Sequence, residues 1–242
     1  MELKIFQKGF NYSQDGTGNR LVYHLQGCNM RCPWCSNPEG IFLESSKTVR
    51  TTVAELVNET INSRLMFFDG GGVTLTGGEV TCQFKAVREL LIELKKVNIS
   101  TCIETNATSE NLKELLPFID ILIMDFKHYD EEKHFDVTKV SNKKVKENIF
   151  YLCREEKEVL IRIPLIHGFN DSFKDIDGFL NFFENLNTDK FQFEFLAYHE
   201  YGRNKYDELN LPYPVENGAI EAVTLEYFKK SFIQKGHTVI QT

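Results

Sequence analysis

The sequence predicts an α/β protein with parallel strands, in the form of a partial, open (β/α)6 barrel. Six short apolar runs recur along the 242 residues. Between most of them lie segments whose apolar residues have the spacing of an amphipathic helix. Such alternation implies βαβ units with right-handed crossovers, and hence a parallel sheet. Six units are too few for a closed eight-stranded barrel. The pattern alone leaves a flat, doubly wound sheet as an alternative.

The predicted strands are the apolar runs themselves. The fourth, Ile121-Leu122-Ile123-Met124, is continuously apolar, as expected of a strand buried on both faces. The six predicted strands cover residues 21–26, 72–75, 100–103, 119–124, 158–163 and 191–196.

The predicted helices show start signals as well as apolar faces. Thr52 with Glu55, and Ser172 with Asp175, have the spacing of a capping box, which marks the beginning of a helix. A last helix is expected to end near Gly236. The apolar faces comprise Val53, Leu56, Val57 and Ile61; Phe84, Val87, Leu91 and Leu94; Val145, Ile149 and Leu152; Phe173, Ile176, Leu180 and Phe183; and Leu225, Phe228 and Phe232.

Composition limits the classes of function. The chain has the length of one domain, predicted over residues 1–242, and no low-complexity linker divides it. Its net charge of −7 argues against nucleic acid or a membrane surface as a partner. No apolar run approaches the length of a membrane span, and the first residues lack the order of a signal peptide. We therefore expect a cytoplasmic protein.

Three of the six cysteines lie within eight residues, at Cys28, Cys32 and Cys35. In a reducing compartment such a triplet indicates a metal site, because soft thiolates suit iron–sulfur clusters or zinc. Structural zinc usually has four ligands, and the fourth would have to be His24, inside a predicted strand. Three thiolates instead leave one iron of a [4Fe–4S] cluster open to a substrate. We expect the remaining three cysteines to be buried thiols: Cys82, Cys102 and Cys153.

The segments Asp15–Arg20 and Gly27–Asn37 together resemble the signature of the glycyl-radical-enzyme activating enzymes, a radical S-adenosylmethionine (SAM) family. The resemblance implies a radical SAM core, with a [4Fe–4S] cluster on the three cysteines and SAM at its open iron. His24 stands where the family usually has Phe, and we interpret it as a packing change. Residues 36–75 contain no cysteine, so a ferredoxin-like insert with further clusters is not expected. The chain thus resembles the short, pyruvate formate-lyase-type activases.

Polar residues follow the next predicted strands, at the edge where α/β proteins bind ligands. The turn Gly77-Gly78-Glu79 resembles the family motif that holds the methionyl amine, although Val80 replaces the usual Pro. Glu104-Thr105 and Asp125-Phe126-Lys127 resemble the residues around the methionyl carboxylate and a monovalent cation. The family often has Asp at the position of Glu104. The alternatives are a glycine-rich turn with a solvated Glu79, and a structural salt bridge between Asp125 and Lys127.

The fifth and sixth strands lead into segments that extend the resemblance to about residue 210. Arg162 precedes a loop with Gly168 and Asp171, and His199 begins a segment that includes Gly202, Lys205 and Tyr206. The resemblance implies that Arg162 and His199 contact SAM. It also implies that they and Asp15 hold the glycine loop of a protein substrate. Trp34 and Asn37 are expected to flank the nucleoside.

The implied reaction is reductive cleavage of SAM to a 5′-deoxyadenosyl radical, which takes a Cα hydrogen from a glycine of a partner glycyl radical enzyme. A flavodoxin or ferredoxin would supply the electron, and we expect a monomer. One alternative keeps the radical chemistry but modifies a small molecule or short peptide. Another is non-enzymatic: an electron carrier or a zinc-stabilised binding module. The sequence does not identify the partner.

Overall fold

The computed structural model describes residues 1–241. The chain divides into two compact units. The first unit consists of Met1–Asn29, Glu39–Thr105 and Ser109–Ile123. The second consists of Met30–Pro38, Asn106–Thr108 and the chain from Met124 onward. The cysteine segment passes from the first unit to the second between Asn29 and Met30. The single domain expected over residues 1–242 stays a prediction.

The first unit contains the amino-terminal strands and the helices that follow them. In chain order these are β1 (Glu2–Tyr12), β2 (Asn19–Leu25), β3 (Val49–Thr52), α1 (Val53–Asn62), β4 (Gly72–Gly77), α2 (Phe84–Lys96), β5 (Ser100–Thr105) and α3 (Leu112–Leu115). Strand β6 (Ile121–Asp125) begins in this unit and ends in the second. One-turn 3-10 helices lie at Pro38–Gly40, Arg64–Met66, Val80–Gln83 and Leu116–Phe118.

Strand pairing in the first unit determines which residues share an edge. β1 is antiparallel to both β2 and β3. β2 and β4 are parallel, with Leu21 opposite Val73 and Leu25 opposite Gly77. β4 and β5 are also parallel, with Gly72 opposite Ser100. The residues that follow β4 and β5 therefore lie at the same edge of this sheet, as the sequence predicts.

The second unit continues the alternation. It contains α4 (Glu131–Thr138), α5 (Lys143–Arg154), β7 (Val159–Leu165), α6 (Phe173–Phe183), β8 (Phe191–Ala197), α7 (Arg203–Glu208), α8 (Ala222–Gln234) and β9 (Thr238–Val239). β7 pairs in parallel with β8, and β8 with β9. An aromatic core accounts for many of the twenty Phe residues. Its buried rings, several in edge-to-face contact, are Phe126, Phe179, Phe183, Phe193, Phe195, Phe228 and Phe232.

All six predicted strands are present, as β2 and β4 to β8, and the α/β class with parallel strands is confirmed. The sequence pattern missed β1, β3 and β9. Most of β1 is exposed, and β9 has only two residues. Neither produces the apolar run that marks a buried strand.

The five predicted helices are confirmed as α1, α2, α5, α6 and α8. Both capping boxes are formed: Thr52 accepts from the backbone N–H of Glu55, and Ser172 from that of Asp175. The short helices α3, α4 and α7 were not predicted. Within residues 1–241, no helix is both long and apolar enough to cross a membrane.

The three scattered cysteines differ in exposure, and the prediction for one of them is wrong. Cys102 and Cys153 are buried and outside any disulfide, as expected. Cys82 is exposed, because the one-turn helix Val80–Gln83 presents it to solvent.

Replacing Thr52 by Ala should lower the free energy of unfolding by about 1 kcal/mol, because the first turn of α1 loses its side-chain acceptor. Denaturant titration followed by circular dichroism measures this change. Ser63→Ala is the control, since Ser63 ends the same helix without a side-chain cap. Equal losses in the two variants would contradict the capping argument.

Candidate active site

The turn after β4 packs directly on the chain that leads into the cysteine segment. A Cβ atom on Gly78 would lie 2.2 Å from the carbonyl oxygen of Gly27 and 2.6 Å from that of Gly40. The backbone N–H of Glu79 donates to the carbonyl of Gly27 at 2.7 Å. The N–H of Cys28 itself donates to the carbonyl of Ile41 at 2.9 Å. Gly78 therefore allows a close backbone-to-backbone contact next to Cys28, which a residue with a Cβ atom could not make.

Hydrogen bonds tie the side chains at the ends of β4 and β5 to one another. Glu79 is buried, and its Oε1 accepts from the N–H and hydroxyl of Thr81, at 3.0 and 2.7 Å. The hydroxyl of Thr105 donates to the same oxygen at 2.8 Å. Thr76 donates to Oε2 of Glu104 at 2.8 Å. The alternative of a solvated Glu79 is wrong, because this carboxylate is enclosed and held by three donors.

The loop with Asp15 packs on the face of β4 that carries Thr74 and Thr76. The carbonyl of Asp15 accepts from the hydroxyl of Thr74 at 2.6 Å, and its carboxylate accepts from the Asn11 amide. Thr74 and Thr76 are two positions apart, so both side chains point to one face of the strand. Asp15 thus lies beside the face that carries Glu104.

In the second unit, the loop after β8 packs on the other end of the cysteine segment. A Cβ atom on Gly202 would lie 2.3 Å from the carbonyl oxygen of Cys35. Lys205 donates to the side-chain oxygen of Asn37 at 2.8 Å. The nearby thiols of Cys35 and Cys32 add to the effect of burial in raising the pKa of Tyr206. Gly202 and Lys205 thus contact the carboxyl-terminal end of the cysteine segment.

Trp34 lies between the second and third cysteines. Its ring packs on Phe169 in the loop after β7, with centroids 5.0 Å apart. The backbone of this segment is also held where the N–H of Arg31 donates to the carbonyl of Thr138 at 2.8 Å. The position of the Trp34 ring is therefore set by a loop that the sequence also associates with the site.

Asp125 and Lys127 form a salt bridge at the end of β6. The Lys127 ammonium lies 2.7 Å from Asp125 Oδ2, and the intervening Phe126 enters the aromatic core. The carbonyl of Lys127 accepts from the amide of Asn170, which also donates to the carbonyl of Pro164. The salt bridge considered as an alternative is thus present. This salt bridge is compatible with a role of both residues in binding, because it orients the two charged groups.

Arg162 has an acidic partner that the sequence analysis did not consider. Its Nε donates to Glu194 Oε2 at 2.8 Å, and the Glu194 side chain is only 2% exposed. A buried carboxylate of this kind needs a charged or hydrogen-bonding partner. The signal was present in the sequence as one acidic residue inside the run Phe193-Glu194-Phe195.

His199 follows β8 and stacks on the ring of Tyr201, with centroids 4.1 Å apart. Burial lowers the pKa of His199, which favours the neutral imidazole. His24 instead packs on Phe6, in agreement with its interpretation as a packing residue. Burial lowers the pKa values of both His128 and His134 to about 4.

The three clustered cysteines fit the predicted cluster by their chemistry. None is in a disulfide, and each is half-buried. Burial raises the pKa of Cys32 to about 11, while the ammonium of Lys127 acts in the opposite direction. Within residues 1–241, no three His, Cys, Asp or Glu side chains converge as they would on a single metal ion. A [4Fe–4S] cluster does not require that convergence, because each thiolate binds a different iron.

The structure thus places the predicted residues in two groups. Cys28, Gly77, Gly78, Glu79, Glu104, Thr105 and Asp15 belong to the first unit. Cys32, Trp34, Cys35, Asn37, Asp125, Lys127, Arg162 and His199 belong to the second. In each unit, a loop that follows a strand packs its backbone on one end of the cysteine segment. The site residues that the sequence analysis missed are Thr76, Asn170 and Glu194.

Comparison with known proteins gives a consistent result. The sequence model of the Radical SAM superfamily matches residues 22–181. The chain is 36% identical over 214 residues to the pyruvate formate-lyase-activating enzyme of Staphylococcus epidermidis, covering 84% of each. It is 30% identical over 276 positions to the choline trimethylamine-lyase activating enzyme of Oleidesulfovibrio alaskensis, covering 88% of this chain and 89% of the relative.

A solved domain of a pyruvate-formate lyase-activating enzyme from Bacteroides vulgatus is similar in structure. It has a TM-score of 0.59 at 22% identity and covers 71% of this chain and 98% of that domain. This likeness shows the fold, and the predicted partial barrel of radical SAM proteins is confirmed.

Replacing Gly78 by Ala should displace the chain next to Cys28, because the added methyl group would meet two carbonyl oxygens. We expect a loss of about 2–3 kcal/mol in unfolding free energy, together with lower iron content after anaerobic reconstitution. Denaturant titration and iron analysis measure the two effects. Gly9→Ala is the matched control, since nothing lies within 4 Å of the atom it adds. Normal iron content in the Gly78 variant would contradict the proposed contact.

Proposed function

Because this chain belongs to the radical SAM superfamily and is a glycyl-radical-enzyme activating enzyme, we propose that Cys28, Cys32 and Cys35 hold its [4Fe–4S] cluster. When bound and reduced, the cluster supplies the electron that cleaves SAM, and the resulting 5′-deoxyadenosyl radical takes a Cα hydrogen from a glycine of the partner enzyme. The observation that best supports this assignment is the backbone packing of Gly78 and Gly202 on the two ends of the cysteine segment.

We assign the methionyl amine of SAM to Glu79. Three donors fix Oε1 of this buried carboxylate, so the group is oriented before a ligand arrives. An oriented, enclosed carboxylate suits an ammonium, because little reorganisation is needed on binding. We assign the methionyl carboxylate to Lys127 and Thr105, as the family resemblance implies. Gly77 allows the turn that presents Glu79, since its φ of +111° is a conformation that favours glycine.

The nucleoside of SAM is proposed to lie beside Trp34 and Asn37. Trp34 offers an aromatic surface whose position is set by Phe169. Lys205 donates to the side-chain oxygen of Asn37 and so fixes the orientation of its amide. We further propose that Arg162, which Glu194 orients, and His199 contact SAM. Together with Asp15, these two residues are proposed to contact the partner's glycine loop.

The partner is proposed to be a glycyl radical enzyme of the pyruvate formate-lyase type. The alignment with the choline trimethylamine-lyase relative is longer than this chain, 276 positions against 242 residues, so that relative has residues that the chain lacks. The pyruvate formate-lyase-activating relative aligns over 214 residues and covers equal shares of both proteins. This chain is therefore closer in architecture to the pyruvate formate-lyase type.

A monovalent cation is proposed near Glu104 and Asp125. Asp125 pairs with Lys127, and Glu104 accepts a hydrogen bond from the hydroxyl of Thr76, so both carboxylates lie at strand ends in defined orientations. A carboxylate at a strand end is a suitable oxygen ligand for such an ion. We also propose that a flavodoxin or ferredoxin supplies the electron and that the chain acts as a monomer. The cytoplasmic location stays a prediction from the sequence.

The partner assignment is tested by anaerobic reconstitution followed by addition of dithionite, SAM and pyruvate formate-lyase. We expect 5′-deoxyadenosine, and a glycyl-radical doublet on the lyase by electron paramagnetic resonance. Cys32→Ala should abolish both, whereas Cys82→Ala, which changes an exposed thiol, should retain both. A doublet on choline trimethylamine-lyase but not on pyruvate formate-lyase would refute the proposed partner. Full SAM cleavage by the Cys32 variant would refute the cluster assignment.

The cation assignment predicts a dependence on the monovalent ion present. Exchanging K⁺ for tetramethylammonium, which is too large for a carboxylate site, should raise the KM for SAM severalfold. Glu104→Gln should raise the KM for SAM in K⁺. In this variant, the KM values in K⁺ and in tetramethylammonium should be nearly the same. Glu114→Gln, at an exposed position of α3, is the control. An unchanged ion dependence in the Glu104 variant would contradict the assignment.

A further inference from the structure

Arg20 is fully buried in the first unit, although its side chain is charged. It follows the loop Ser13–Gly18 and lies on the same face of the sheet as Thr74. Burial lowers its pKa, against the opposing effect of Cys102, Asp120 and Asp15, and within residues 1–241 the acceptors of its hydrogen bonds are uncharged. Those acceptors are Thr74 Oγ1, Ser100 Oγ and the carbonyls of Thr17, Gly70, Val73 and Ser100.

The hydroxyl of Thr74 connects Arg20 to Asp15. It accepts from Arg20 Nε at 2.7 Å and donates to the carbonyl of Asp15 at 2.6 Å. Thr74 is itself fully buried, so water does not substitute for either bond. One hydroxyl thus uses both its donor and an acceptor site to join a buried cation to the loop.

Further contacts leave the loop little freedom. A Cβ atom on Gly16 would lie 3.0 Å from Arg20 Cδ, and one on Gly18 would lie 2.5 Å from the carbonyl oxygen of Asp69. The carboxylate of Asp15 accepts from the amide of Asn11. The backbone of Asp15 is therefore held by Thr74 and its side chain by Asn11.

We propose that Arg20 and Thr74 are positioning residues that fix Asp15 for the partner's glycine loop. This inference rests on the proposed function, which assigns Asp15 to that loop. The buried guanidinium of Arg20 makes six hydrogen bonds, to acceptors in the loop, in residues 70–74 and at Ser100. These bonds join the loop carbonyl of Thr17 to the carbonyls of Gly70, Val73 and Ser100. The hydroxyl of Thr74 connects the same guanidinium to the carbonyl of Asp15.

Thr74→Val tests the inference, because it keeps the shape of the side chain and removes both bonds of the hydroxyl. We expect the KM for pyruvate formate-lyase to rise about tenfold, while SAM cleavage without a partner stays within about twofold of the wild type. Amide hydrogen exchange in residues 13–18 should be faster. Thr74→Ser keeps the hydroxyl and should restore the wild-type KM and exchange.

Tyr23→Phe is the matched control. Tyr23 is a buried residue of β2 on the opposite face, and its hydroxyl bonds Glu59 at 3.1 Å. Its loss should leave both the partner KM and exchange in residues 13–18 unchanged. An unchanged KM and unchanged exchange in Thr74→Val would overturn the proposal. So would a parallel loss of partner-independent SAM cleavage, since that would indicate general structural support.

The exchange measurement separates this proposal from the proposed function. A wild-type chain that cleaves SAM but leaves pyruvate formate-lyase without a radical would refute the partner assignment. Exchange in Thr74→Val and Thr74→Ser needs no partner and still decides whether the two residues position the loop. If Thr74→Val fails to fold, Arg20→Lys provides the same comparison, because Lys cannot make the bonds of a guanidinium.

Discussion

The cysteine segment is held by backbone contacts that are too close for any side chain. Gly78 meets the carbonyls of Gly27 and Gly40 on one end, and Gly202 meets that of Cys35 on the other. These contacts require glycine because a Cβ atom would lie 2.2–2.6 Å from an oxygen. Two polar side chains depend directly on this constraint, because the turn with Gly78 also supplies Glu79 and the loop with Gly202 also supplies His199.

The polar groups at the strand ends follow from that arrangement. The strands and turns bring charged side chains to positions that range from buried, as at Glu79 and Glu194, to partly exposed, as at Asp125. A buried charge is stable only with partners. In the first unit, threonine hydroxyls hold Glu79 and Glu104. In the second, charged residues pair with each other, as Asp125 with Lys127 and Arg162 with Glu194. Both solutions orient the functional groups before a ligand binds, which reduces the cost of binding.

The parts of the fold that the sequence predicts are those with local signals. Buried strands such as β6 form apolar runs, and the capping box at Thr52 identifies the start of α1. β1 and β3 were not predicted because their residues are mostly exposed. Their pairing also joins parts of the chain that are distant in sequence. Pattern alone also cannot show what a glycine approaches. The motif Gly77-Gly78-Glu79 could be recognised, but not the packing of Gly78 on the carbonyls of Gly27 and Gly40.

The sequence also could not predict which residues pair with the charged side chains. The motif that includes Arg162 could be recognised, but Glu194 is 32 residues away and lies in an otherwise aromatic run. Only the register of β7 and β8, which places these two residues opposite each other, reveals the pair. Likewise, the sequence indicates Arg20 as part of a motif, whereas its six acceptors come from three separate segments of the chain.

Strand β4 joins two functions within the first unit. Thr74 holds the Asp15 loop, and Thr76, on the same face, holds Glu104. Same-face residues of a strand are separated by about 6.6 Å, a distance that the backbone ladder to β2 and β5 keeps constant. A rigid strand therefore sets the spacing between the loop assigned to the protein substrate and a carboxylate assigned to the SAM site. Radical transfer needs such a fixed spacing, because a hydrogen atom is abstracted only when donor and acceptor are held close together.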